Sequence, residues 1–96
     1  MKQNASQITI TVRAAGILDL RALGLMNSIY KFARHYSATR IIFDLRQTHR
    51  IQDSGLAMLL LLENKLGQQI EKIKLVSTRH LNNNHLGYLP VRFVIN

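Results

Sequence analysis

Asp53 and Ser54 stand side by side just before a leucine-rich run that begins at Leu56, and a polar, basic stretch containing Arg46, His49, Arg50 and Gln52 leads into them. A carboxylate or a hydroxyl at a helix start satisfies free backbone amides and is favoured by the positive end of the helix dipole. Those amides, with arginines close by, also suit an acidic partner side chain or a phosphate. Solvated cations that merely balance Asp44 and Asp53 are the plainer reading of the same residues. Asp44, His49 and Ser54 can be written as a hydrolytic triad. Gly-x-Ser-x-Gly is absent, however, and nothing in the sequence supplies an oxyanion hole. No two of His35, His49, His80 and His85 stand at the i, i+4 spacing from one another that metal ligands on a helix use, and Gly16 and Gly24 are too isolated to form a phosphate loop. We therefore expect no catalytic residues, no metal and no cofactor.

The flanking segments must position this stretch. Ile41-Ile42-Phe43, within Arg40–Leu45, reads as a strand covered on both faces, and the polar stretch after it reads as a strand-to-helix loop. From Ser54 to about Gln68 the helical period puts Gly55, Leu59, Leu62 and Leu66 on one side. Ala57, Leu60 and Leu61 fall near the opposite side, which leaves apolar surface that either a partner or another element of the chain must cover.

Upstream, Ile8–Val12 alternates apolar and polar β-branched residues as a strand does, and Ala14-Ala15-Gly16 closes it. Asp19 is placed to cap a helix over Leu20–Tyr36, whose period lines Ala22, Leu25, Met26, Ile29, Phe32, Ala33 and Tyr36 along one side. Downstream, Ile73–Val76 reads as a strand with Lys72 and Lys74 turned outward. A short helix fits within Arg79–His85, and Val91–Ile95 reads as a last strand at or near a sheet edge. Strands alternating with helices give an α/β sheet.

Ninety-six residues suit a single domain, 1–96, which can bury roughly 60–70% of its unfolded surface. The absence of cysteine agrees with a reducing compartment, and no apolar run approaches a membrane span, so a cytoplasmic location is expected. Thirteen Lys and Arg against five acidic residues give a net charge of +8, which favours an anionic partner. The cations are spread along the whole chain, and only six aromatics are present, with no helix-turn-helix pattern. The last two facts argue against a nucleic-acid partner.

Two motifs carry a family resemblance. The stretch from Asp44-Leu45 to Asp53-Ser54-Gly55-Leu56 resembles the signature of the STAS family, the domain of bacterial anti-sigma factor antagonists. In that signature a strand ends in Asp-Leu, and Asp-Ser-Ser-Gly-Leu or Asp-Ser-Thr-Gly-Leu opens a helix. Laid on without a gap, the family aspartate falls on Gln52, the phosphorylated serine on Asp53 and the second hydroxyl residue on Ser54. Gly16-Ile17-Leu18-Asp19 is similar to the family's Gly-x-Leu-Asp before its first helix.

The resemblance implies a mixed sheet of four to five strands with an antiparallel start, two main helices on one face and a shortened C-terminus, because family members usually end in a further helix. It implies a non-enzymatic interaction module that binds an anti-sigma factor, a kinase or phosphatase regulator, or the ATPase of a phospholipid-transport ABC system. The surface would be the 46–56 loop and the outer side of the following helix: Arg46, His49, Arg50, Gln52, Asp53, Ser54, Ala57, Leu60 and Leu61. In relatives a kinase phosphorylates the serine, and the added charge releases the partner. Asp53 offers a kinase no hydroxyl and carries one charge already. Self-association as a homodimer is also compatible with the sequence.

Overall fold

In a computed structural model, residues 7–78, 81 and 84–96 are described. Strand β1 (Thr9–Leu18) leads through a 3-10 turn (Leu20–Ala22) into helix α1 (Leu23–Tyr36). Strand β2 (Arg40–Ile51) leads into helix α2 (Asp53–Leu66), and strand β3 (Lys72–Val76) and strand β4 (Phe93–Ile95) complete the order. A 3-10 turn at Asn84–Tyr88 precedes β4. Arg79, His80, Asn82 and Asn83, within the short helix expected at Arg79–His85, lie outside the described residues.

The sheet has the order β1-β2-β3-β4, and all three pairings are parallel. Among the described residues the sheet is therefore parallel rather than mixed: the strand foreseen at Ile8–Val12 forms, and α1 carries the chain back so that β1 and β2 run the same way. Any antiparallel strand within residues 1–6 would lie outside the described residues. Three strands laid down in one direction by right-handed crossovers place α1 and α2 on the same face. The two helices touch there, with the Lys65 ammonium 4.5 Å from the Tyr30 ring centre, and Arg34 Nη1 donates at 3.4 Å to Oε1 of Gln69 in the 3-10 turn that follows α2.

The core lies between this helix layer and the sheet. Ile41, Phe43 and Leu45 of β2, Ile73 and Leu75 of β3, and Leu59, Leu62 and Leu66 of α2 are buried, together with Met26, Ile29 and Ala33 of α1. The expected inner side of α2 is therefore the real one. α1 is narrower in its burial than its periodicity suggests. The helical period puts Leu25, Phe32 and Tyr36 inside with Met26 and Ile29, yet they stand 39%, 52% and 46% exposed. The other face of the sheet is also more open than β2's apolar centre implies: Ile42 is half-buried, in a row with Thr11, Lys74 and Val94.

Asp19 caps as expected, although it caps the 3-10 turn rather than α1 itself. Its carboxylate accepts from the Arg21 amide at 3.0 Å and grips the Arg21 guanidinium at 3.0–3.2 Å.

Candidate functional site

The segment that reads as a loop in the sequence is mostly strand. β2 continues through Arg46–Ile51 and pairs with the second half of β1, after register shifts between Arg13 and Ala15 and between Gly16 and Ile17. Two extra residues on β2 are absorbed there as bulges, so the burial of Leu45, Thr48 and Ile51 follows a spacing of three rather than two. Thr48 holds the bulged stretch in place, its buried hydroxyl donating to the Ala14 carbonyl at 2.9 Å. Gly16, at φ +73°, supplies the left-handed backbone conformation that the matching irregularity in β1 requires. Only Gln52 connects β2 to α2.

This pairing sets where α2 starts. The Gln52 amide donates to the Leu18 carbonyl at 2.9 Å, and Gly55 in the first helical turn lies directly against that carbonyl, where a Cβ has no room. The helix end is thereby fixed on the end of β1. Gln52 occupies the N-cap in extended conformation without a side-chain capping bond, and Asp53 is the first helical residue. Asp53 is thus one position inside the helix rather than at the N-cap, and its carboxylate lies at the positive end of the helix dipole.

Asp53 is exposed, and Ser54 beside it is half-buried. At 100° per residue, Asp53, Ala57, Leu60 and Leu61 fall within one arc of about 100°. Ala57 is exposed, and Leu60 and Leu61 are 38% and 43% exposed. One carboxylate thus heads an apolar stripe along the outer side of α2.

The cations of this stretch do not form one cluster. Arg46 is engaged by Asp44, with Nε at 3.0 Å from Oδ1 and Nη2 at 2.7 Å from Oδ2, while its backbone amide donates to Oδ1 at 3.1 Å. Arg13 reaches the same carboxylate at 3.7 Å. His49 instead lines a cleft of about 650 Å³ with Arg13, Gly16, Arg21 and Leu25. Arg50 and Gln52 are exposed. Sequence reasoning misses this cleft, whose only advance signal is Gly16 within Gly-Ile-Leu-Asp.

Bonds from the Arg46 side chain and amide hold the Asp44 carboxyl at about 2, well below its ordinary 3.8. A depressed carboxylate adds stability that is complete above the unfolded value, near 3.8, and disappears as pH falls through about 2. Asp44→Asn should therefore flatten the acid limb of a stability–pH curve between about 4 and 2. A variant whose acid limb matches wild type would show that Asp44 is not the group responsible.

Among the described residues, no cluster of three or more His, Asp or Glu could hold a metal ion, and no helix is long and apolar enough to cross a membrane. His80 and the side chain of His85 lie outside the description.

Among solved structures, the chain is similar to the anti-sigma factor antagonist SpoIIAA in its unphosphorylated form. The TM-score is 0.65 and the identity 16%, over 98% of this chain and 84% of that one. No family model matches the sequence, and no curated protein does. The likeness establishes the fold: this is an α/β chain with the STAS-like arrangement of strands and helices.

Proposed function

We propose that this protein is a non-enzymatic interaction module of the anti-sigma factor antagonist kind, which engages a regulatory protein through the start and outer side of α2. The observation that carries the reading is the stripe of Asp53, Ala57, Leu60 and Leu61, a single exposed carboxylate heading a run of exposed apolar side chains. It sits on a fold shared with an anti-sigma factor antagonist. The apolar part supplies area that gains from leaving water, and the carboxylate at the helix start fixes orientation.

Asp53 falls where relatives of that kind are phosphorylated, and a carboxylate copies a phosphoserine only in part, with one charge in place of about 1.5–2 and two acceptor oxygens in place of three. The carboxylate is exposed, so donors of a partner can reach it. The partner accepts a permanent carboxylate there, and the interaction is constitutive at this position.

The test is the affinity of the regulatory partner, recovered from native lysate and purified, for wild type and two variants. Leu61→Glu should weaken binding by about tenfold or more, because a charge placed in the contact is desolvated without a counterpart. Asp53→Ser should change the affinity and create a site for a cognate kinase. Association that falls steeply with salt and ignores Leu61→Glu would favour a nucleic-acid partner instead. A stoichiometric phosphate on Ser54 in native protein would mean that the switch has moved one residue along, and would overturn the constitutive reading.

A further inference from the structure

Strand β1 is an edge of the sheet, paired on one side with β2 and hydrogen-bonded to no other strand among those described. The Ile8 carbonyl accepts from the amides of Thr39 and Arg40 on the β2 side. Parallel pairing therefore turns the backbone groups of alternate residues Ile8, Ile10 and Val12 toward β2, and those of Thr9, Thr11 and Arg13 toward the open side. Natural sheets guard such edges with bulges, prolines or inward charges. Here the register shifts begin only after Arg13, so the second half of the edge is guarded and the first half is regular.

The exposed flank of α1 overhangs this same edge. Tyr30 and Arg34 reach toward α2 from one flank of the helix, and Leu25, Phe32 and Tyr36 occupy the opposite flank by helical period. Leu25 accordingly lines the cleft along β1, and Phe32 packs against Tyr36 at a tilt, with ring centres 4.7 Å apart. Between Leu25 and Tyr36 this flank also carries Ser28 and His35, but neither Lys nor Arg.

We propose that two copies of the chain pair through this edge, β1 against β1 in antiparallel sense about a two-fold axis at Thr11. In that register Thr11 faces Thr11 and Thr9 faces Arg13 as hydrogen-bonded pairs, using the outward amides and carbonyls. Ile10 faces Val12 and Ile8 faces Ala14 on the helix side. No like charges oppose one another. Strands about 4.8 Å apart bring the two α1 helices, each above its own β1–β2 pair, to about 10 Å, the spacing at which helices pack. Leu25, Phe32 and Tyr36 of both copies then cover each other. A second copy is favoured over an acidic partner because the register is self-complementary and the cations beside this flank, Arg13 and Arg21, are already paired with Asp44 and Asp19.

Light-scattering mass measurement at about 100 µM should give twice the chain's 11.0 kDa. Added salt should strengthen the pairing, because it screens repulsion between two cationic copies. Thr11→Pro removes an amide that points away from β2, so the monomer keeps its ladder and its circular dichroism while the measured mass halves. Phe32→Glu should halve it as well, through the helix layer, and provides the test if proline disturbs the strand. A monomeric wild type at that concentration overturns the proposal, as does a dimer that survives both substitutions. So does a monomer that pairs only after residues 2–6 are deleted, since the edge would then belong to the chain's own start.

Discussion

Gly55→Ala should lower the stability of this protein by about 1–3 kcal/mol, the usual cost of forcing an extra group into a filled site. An added Cβ would overlap the Leu18 carbonyl oxygen, stand 2.7 Å from the carbonyl carbon and meet the Leu18 side chain at 3.2 Å. That carbonyl cannot swing aside freely, because it accepts the Gln52 amide at 2.9 Å. Relief requires the first turn of α2 to move off the end of β1. Alanine's higher helix propensity returns at most about 1 kcal/mol, less than a backbone clash costs. For a chain of this size the loss corresponds to a fall in melting temperature of roughly 4–8 °C for each kcal/mol. Gly24 in α1 is the internal control, since an added Cβ there meets nothing within 4 Å. Gly24→Ala should raise the melting temperature by a few degrees, on the strength of up to about 1 kcal/mol of helix propensity. If thermal melting shows both variants equal to wild type, α2 is not anchored on Leu18.

The second large effect concerns two leucines on one helix. Leu59 is fully buried and Leu61 is 43% exposed. Leu59→Ala should cost about 2–5 kcal/mol, because its methyl groups leave a cavity among packed neighbours. Leu61→Glu should stay within about 0.5 kcal/mol of wild type, as surface changes usually do. Urea titrations of the two variants check this directly. A strongly destabilised Leu61→Glu would make the outer side of α2 part of the fold and would remove the surface on which the proposed interaction rests. The two experiments therefore separate residues that hold the site from residues that form it.

These positions also show where sequence reasoning is sufficient. The inner side of α2 is legible because Gly55, Leu59, Leu62 and Leu66 repeat at the helical period, and so is the outer stripe of Ala57, Leu60 and Leu61. Periodicity is a local property of the chain and needs no knowledge of neighbours. The same holds for the alternation that makes Ile8–Val12 a strand, for Asp19 as a cap, and for Lys72 and Lys74 turned away from Ile73 and Leu75.

Tertiary structure decided the rest. Arg46–Arg50 is polar and reads as a loop, yet it becomes strand because β1 runs beside it and the Ala14 carbonyl accepts from the Thr48 hydroxyl across the bulges. That pairing joins residues more than thirty positions apart, and no local pattern announces it. Sequence proximity places Arg46 near Asp53, but the strand turns it back onto Asp44 two residues away. Leu25, Phe32 and Tyr36 share the helical stripe of Met26 and Ile29, and which of them are buried depends on where the sheet stops. The sequence by itself determined which elements form and which side of α2 faces inward, since propensity, capping and periodicity act over a few residues. Strand direction, the bulged register that seats Gly55 on Leu18, and the open flank at β1 were decided only when distant segments met, because each depends on which backbone lies alongside which.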